Sequence, residues 1–211
     1  MIEFLRRNGG QLLDGLTDHL VLTVIAVSVG FAMAMVLTLI IVRWRPLGGP
    51  ILAATGTLYT IPSLALFAFL VPITGLSLLS AEIGLISYTL LILVRNSLAG
   101  LDGVSPDIRE AADGLGHTRM QRLLRVELPL AVPLLIAGLR IATVTTIGLV
   151  MVTAVIGEGG LGQVMLRGFN LRNWGLVYAA LIVMVLLAVV ADFGLATLGR
   201  VLTPWARKGS R

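Results

Sequence analysis

Residues 110–129 read EAADGLGHTRMQRLLRVELP, a polar, arginine-rich stretch set between long apolar runs. It opens on Glu110-Ala111-Ala112, has Gly116 six positions after the glutamate, and after nine more residues reaches Val126-Glu127-Leu128-Pro129. The order is E-A-A-x3-G-x9-[I/V]-x-L-P. Seven defined positions across twenty residues make it a specific pattern. Local signals give it a shape. Ser105-Pro106-Asp107 is a helix start, because Ser can accept an orphan N–H and Pro is preset for the first turn. The helix should run through Glu110-Ala111-Ala112 and stop near Gly114 or Gly116. Thr118 followed by Gln121 has the form of a capping box and opens a second helix, which Pro129 is expected to end as it begins the next apolar run. Arg119, Arg122 and Arg125 fall within about 120° of one another on that helix, with Met120, Leu123 and Leu124 opposite. One face can rest on protein or lipid while the other meets a partner.

Outward from this stretch the chain is made for lipid. Of 211 residues, 57% are hydrophobic and 13% charged, with a mean hydropathy of +0.97, whereas soluble domains carry about 25% charged residues. Five apolar segments span about 20–42, 51–73, 76–94, 130–156 and 176–198, each long enough to cross a bilayer core as a helix. Ala32-Met33-Ala34 imitates a cleavage site, but the first run continues beyond it, so a retained span is expected rather than a signal peptide. No hydrophilic stretch is long enough to fold alone, so 1–211 forms one membrane domain. Ahead of the first span, residues 1–19 carry Leu12, Leu13, Leu16 and Leu20 at helical spacing and read as a short amphipathic helix in the outer interface. His19, at its end, reads as an interfacial polar group without chemistry.

Charge sets orientation. Arg43, Arg45, Arg95, Arg109, Arg119, Arg122, Arg125, Arg200, Arg207, Lys208 and Arg211 collect on one side, and Arg6, Arg7, Arg167 and Arg172 on the other. The positive-inside rule puts the larger group in the cytoplasm. The N-terminus is then outside, and the C-terminus and the 100–128 loop inside. This also accounts for the net charge of +5 without nucleic acid as a partner.

Several chemistries are excluded. Cysteine is absent, which removes disulfides and thiolate sites together. Gly157-Glu158-Gly159-Gly160-Leu161-Gly162 fits the dinucleotide fingerprint, but that motif needs a preceding strand. Here it follows an apolar span, and its glycines are expected to form a tight outer loop. No phosphate-binding G-x-x-x-x-G-K-[S/T] occurs, and two histidines without paired intraspan carboxylates offer no catalytic or metal constellation. Three ionisable residues lie within spans, where a lone charge is costly: Glu82 near the start of the third, Arg140 in the fourth and Asp192 in the fifth. Arg140 lies about 16 Å beyond Pro129 and Asp192 about 12 Å before Arg200. Three readings follow: an Arg140–Asp192 ion pair, an Arg140 facing the pore, or a tilt that carries it to the interface.

The 110–129 pattern resembles the cytoplasmic "EAA" signature of permease subunits of binding-protein-dependent ATP-binding-cassette importers, with Val126 in place of the commoner Ile. An ordinary basic loop would explain the arginines but not this spacing. Ile61-Pro62-Ser63-Leu64-Ala65, Arg95-Asn96, Ile156-Gly157, Gly159-Gly160-Leu161-Gly162 and Asp192 are similar to the branch serving glycine betaine, choline, carnitine and related quaternary amines. The likeness covers most of residues 19–205. It implies an all-α, multi-pass permease of the cell (inner) membrane that forms half of a translocation pathway. The partners implied are a second permease copy or paralogue, two cytoplasmic ATP-binding-cassette subunits, which would hold ATP and Mg, and an extracytoplasmic substrate-binding protein. This chain would carry no cofactor and catalyse nothing. Glu110, Ala111, Ala112, Gly114, Gly116, Leu128 and Pro129 are implied as the ATPase-coupling residues. Quaternary ammonium ligands favour aromatic cages. The twelve aromatics here are spread along the chain, so selectivity is expected mainly in the binding protein. The rivals are a stand-alone channel or ion-coupled carrier, which leaves the EAA segment unexplained, and an importer permease for another small solute such as an amino acid.

Overall fold

The computed structural model describes the backbone of residues 2–207 and the side chains of residues 8–205. Lys208 and Arg211, and the side chains of Arg6, Arg7 and Arg207, lie outside the described residues. Within them the chain is all helical, with no strand. Nine α-helices follow in order: α1 Ile2–Arg43, α2 Gly48–Thr60, α3 Ser63–Thr74, α4 Leu78–Asp102, α5 Pro106–Gly114, α6 Arg119–Arg122, α7 Leu128–Val150, α8 Leu161–Asn170 and α9 Trp174–Leu202. Four helical stretches are long and apolar enough to cross a membrane, or five if α2 and α3 count as one span.

The centre of the bundle is α4, two-thirds (67%) of whose most apolar window is buried; for α9, at the edge, the share is 17%. Close approach at small residues builds this centre. A Cβ at Gly138 of α7 would lie 2.6 Å from Asn96 Cβ of α4, and one at Gly100 of α4 would lie 3.0 Å from the Ala131 carbonyl oxygen. Leu22 and Ala26 of α1 pack with Ala81 and Leu85 of α4 near one end. Ala34 and Ile41 pack with Leu90, Leu93 and Val94 nearer the other.

The 51–73 segment is not one straight span. It breaks at Ile61-Pro62, and its halves meet at 96°. Pro62 offers no N–H, and its ring holds Ile61 at φ −63°, ψ 128°, outside the helical region. The halves, of 13 and 12 residues, are about 20 Å each, short of the roughly 30 Å core. A break in lipid frees backbone polar groups that need partners. The Tyr88 hydroxyl on α4 donates to the Ile61 carbonyl, and its ring meets Tyr59 edge-on with centroids 5.8 Å apart.

Residues 1–19 also differ from expectation. No break separates them from the first span, because nothing between Asn8 and Arg43 interrupts the hydrogen-bond ladder of the 42-residue α1. Leu12 packs with Leu161 and Val164 of α8 and Leu176 and Ala180 of α9, with Leu16 alongside. Leu12 and Leu16 of the stripe are thus protein contacts, while Leu13 and Leu20 stay exposed. His19 is fully buried, with Nε2 3.0 Å from the Ile147 carbonyl of α7. A carbonyl only accepts, so Nε2 carries the proton.

Gly157, Gly159 and Gly160 have φ of +89°, +126° and +47° and turn the chain from a short 3-10 segment, Val152–Ile156, into α8. The fingerprint-like glycines therefore follow a helix, not a strand. A Cβ at Gly160 would stand 2.5 Å from the His19 amide nitrogen, so this turn is pressed against α1.

Candidate functional site: the coupling loop and the intramembrane charge pair

Between α4 and α7 the chain makes two short helices. The Ser105 hydroxyl accepts from Ile108 N at 3.4 Å, and Pro106 occupies the first turn of α5. At the other end of α5, His117 N donates to Ala112 O (3.2 Å) and Gly116 N to Asp113 O (2.9 Å). This pair of bonds is a Schellman closure, which requires a left-handed residue at Gly116. Its φ is +80°. Gly114 lies within the last turn of α5, so Gly116 alone makes the bend. Thr118 and Gln121 form the reciprocal capping box of α6: Gln121 N donates to Thr118 Oγ1 at 3.3 Å and Thr118 N to Gln121 Oε1 at 2.8 Å.

Pro129 does not end the second helix. Helical backbone continues from α6 through a π-turn, Leu123–Glu127, into α7, and Pro129 falls in the first turn of α7. Leu128 N reaches back five residues to Leu123 O. This wider turn takes up the missing donor and bulky ring of the proline without a stop.

Glu127 holds the loop together. Its side chain is 7% exposed, and Oε1 accepts from Arg122 Nε at 2.9 Å and lies 3.7 Å from Arg109 Nε. Arg122 also pairs with Asp113 of α5, and Arg109 Nη2 donates to Leu101 O on α4 at 2.7 Å. Arg119 Nη2 donates to Val42 O at the end of α1 (3.0 Å). The π-turn, α4, α5, α6 and the end of α1 are thus tied through two carboxylates and three guanidiniums. Sequence reading passed over Glu127, the undefined position of the V-x-L-P segment. Its Arg109 and Arg122 partners come from two other elements, and only a buried acid beside an apolar run hinted at a role. Arg122, grouped by periodicity with Arg119 and Arg125, turns inward to it.

The implied coupling residues divide. Glu110 and Ala111 are exposed, while Ala112 is buried and packs within this chain. Gly114 and Gly116 are exposed, while Leu128 and Pro129 are half-buried at the base of α7. Two apolar side chains of the loop are strongly exposed: Leu115, at 79%, and Met120, at 62%, the latter beside Met35 and Leu39 of α1. The loop is a fixed scaffold presenting a free apolar and acidic tip.

In the membrane, Arg140 of α7 and Asp192 of α9 meet in a two-bond fork: Nε to Oδ1 and Nη2 to Oδ2, both 2.8 Å. Over a third of each side chain remains exposed, 38% and 36%. No group of three His, Asp or Glu residues able to hold a metal occurs among the described residues.

A family model described as "Binding-protein-dependent transport system inner membrane component" matches residues 26–207. The "Osmoprotectant import permease protein OsmW" of Salmonella typhimurium is 38% identical over 208 residues, covering 96% of this chain and 97% of that one. The "Choline transport system permease protein OpuBB" of Bacillus subtilis is 35% identical over 204 residues, covering 97% and 94%. Among solved structures, an inward-facing form of the MetNI methionine ABC transporter shares the fold with a TM-score of 0.82 at 22% identity, covering 93% of this chain and 98% of that one. The tight Gly116 turn, the capped helices and the bundle beneath them thus stand in a chain that matches the family model over nearly all its spans. The chain belongs to the binding-protein-dependent transport system inner membrane components.

Proposed function

We propose that this chain is the membrane permease subunit of an ATP-driven importer for osmoprotectants of the glycine betaine, carnitine and choline class. One observation carries the reading furthest. The loop that holds the EAA pattern is a capped double helix with an exposed tip, standing on a bundle whose relatives of near-equal length are named for these solutes. The chain forms half of the pathway, and a second permease, two cytoplasmic ATPases and an extracytoplasmic binding protein complete it. ATP and Mg belong to the ATPases. Glu110, Ala111, Leu115 and Met120 offer the docking tip, and closure of the ATPases against it pushes on α7 through the Glu127 clamp.

The test is substrate-stimulated ATP hydrolysis by the reconstituted complex over betaines, carnitine, choline and amino acids. Stimulation by quaternary amines supports the reading. Stimulation by an amino acid alone moves the chain to another branch, and uptake without any ATPase makes it a carrier. The proposed orientation puts Ser105 inside and Asn173 outside, so cysteines placed there should label from opposite faces. Labelling of both from one face would rule it out.

A further inference from the structure

The Arg140–Asp192 bridge lies in a groove between α7 and α9 and divides it. Away from the coupling loop is a cavity of about 590 Å³, bounded by Ile141, Val144, Thr145 and Val189. Toward the loop is a second, of about 330 Å³, bounded by Pro133, Ile136, Ala196 and Gly199. Arg140, Asp192 and Phe193 line both cavities. Charged groups at helix centres avoid lipid and face protein or water, so the open side of this groove meets a water-filled path or another protein surface. The bridge is the waist of that groove, with Thr145 on one side of it and Arg200 and Thr203 on the other.

Three chemistries meet in the groove: a guanidinium, a carboxylate and the aromatic ring of Phe193, which lines both cavities and is 66% exposed. Together they complement a molecule with a carboxylate at one end and an onium group at the other. We propose that the groove is a transient subsite for a small zwitterion of the betaine type, its carboxylate forking onto Arg140 and its quaternary ammonium held between Asp192 and Phe193. This rests on the substrate class proposed above. Binding exchanges one ion pair for two without adding net charge to a low-dielectric site. A planar fork suits the carboxylate, and an aromatic face suits the onium group. The exchange is close to balanced. A solute in transit needs such a balance, entering readily and leaving readily.

The experiment uses the full complex in proteoliposomes with binding protein at saturation, so that upstream recognition is constant. Three variants are compared: Phe193→Ala, Asp192→Asn, and the swap of Arg140→Asp with Asp192→Arg. Uptake of labelled glycine betaine and thermal stability are read for each. Phe193→Ala is expected to lower uptake about tenfold with unchanged stability, since the ring is mostly free of the fold. The swap is expected to restore whatever stability Asp192→Asn loses while uptake stays low, because the onium partner beside Phe193 has become a cation. Wild-type uptake by Phe193→Ala or by the swap would overturn the subsite and leave the bridge a helix staple. A wild-type complex that moves some other solute and no quaternary amine would overturn the substrate class, and the subsite with it.

Discussion

Helix α7 carries an arginine–carboxylate cluster at its base and another about 20 Å further along, and they are built to opposite ends. At the base, the carboxylate is sealed, shared between two arginines, and tied through them to three other elements. In the membrane, one arginine and one aspartate hold each other alone and stay over a third open to a groove. In the proposed function, the same chemistry serves as a rivet where force passes and as an exchangeable contact where solute passes. Burial and the number of partners make the difference.

The clamp is where the comparison is easiest to break. Glu127→Ala leaves Arg109 and Arg122 partly buried without their shared acid. It should cost about 2 kcal/mol, below the range for a fully sealed pair because these arginines stay 27% and 22% exposed. Melting of the purified complex reads it, and an unchanged midpoint would show that the clamp holds nothing. Gly116→Val comes next. A β-branched residue at φ +80° should cost about 1–2 kcal/mol, and in addition loosen ATP hydrolysis from uptake by shifting the tip. Thr118→Ala removes one half of the capping box and should cost about 1 kcal/mol, with Thr118→Ser restoring it. Asp192→Asn should shift melting least of these four while lowering uptake strongly. A large melting shift there would mean that the open pair, too, is a rivet.

The sequence disclosed the parts whose causes are local. Ser105, Pro106, Thr118 and Gln121 sit where caps must sit, and Gly116 where the backbone must turn left-handed. The spans showed as long apolar runs with at most one charge each. Arg140 and Asp192 could be placed at similar depth by counting rise along two helices, although depth left open which way each side chain faced. What depended on distant partners stayed hidden. The break at Ile61-Pro62 lies inside an unbroken apolar run, and it is tolerable because Tyr88, 27 residues later, satisfies the freed carbonyl. Leu12 and Leu16 carry a pattern that suits a lipid surface or a protein surface equally, and only the placement of α8 and α9 decides between them. Glu127 is one acid in a basic segment until α5 and α6 bring Arg109 and Arg122 to it.

Leu115 tests most directly whether the coupling loop is the docking element for the ATPase. The side chain is 79% exposed, so Leu115→Asp should leave insertion, dimerisation and melting of the permease as they are; surface changes of this kind stay within about 0.5 kcal/mol. The measurement is solute moved per ATP hydrolysed by the reconstituted variant, together with the ATPase retained on purification. The expected result is a stable permease that loses its ATPase, or keeps it with hydrolysis no longer linked to uptake. Wild-type uptake per ATP with an intact complex would contradict the account.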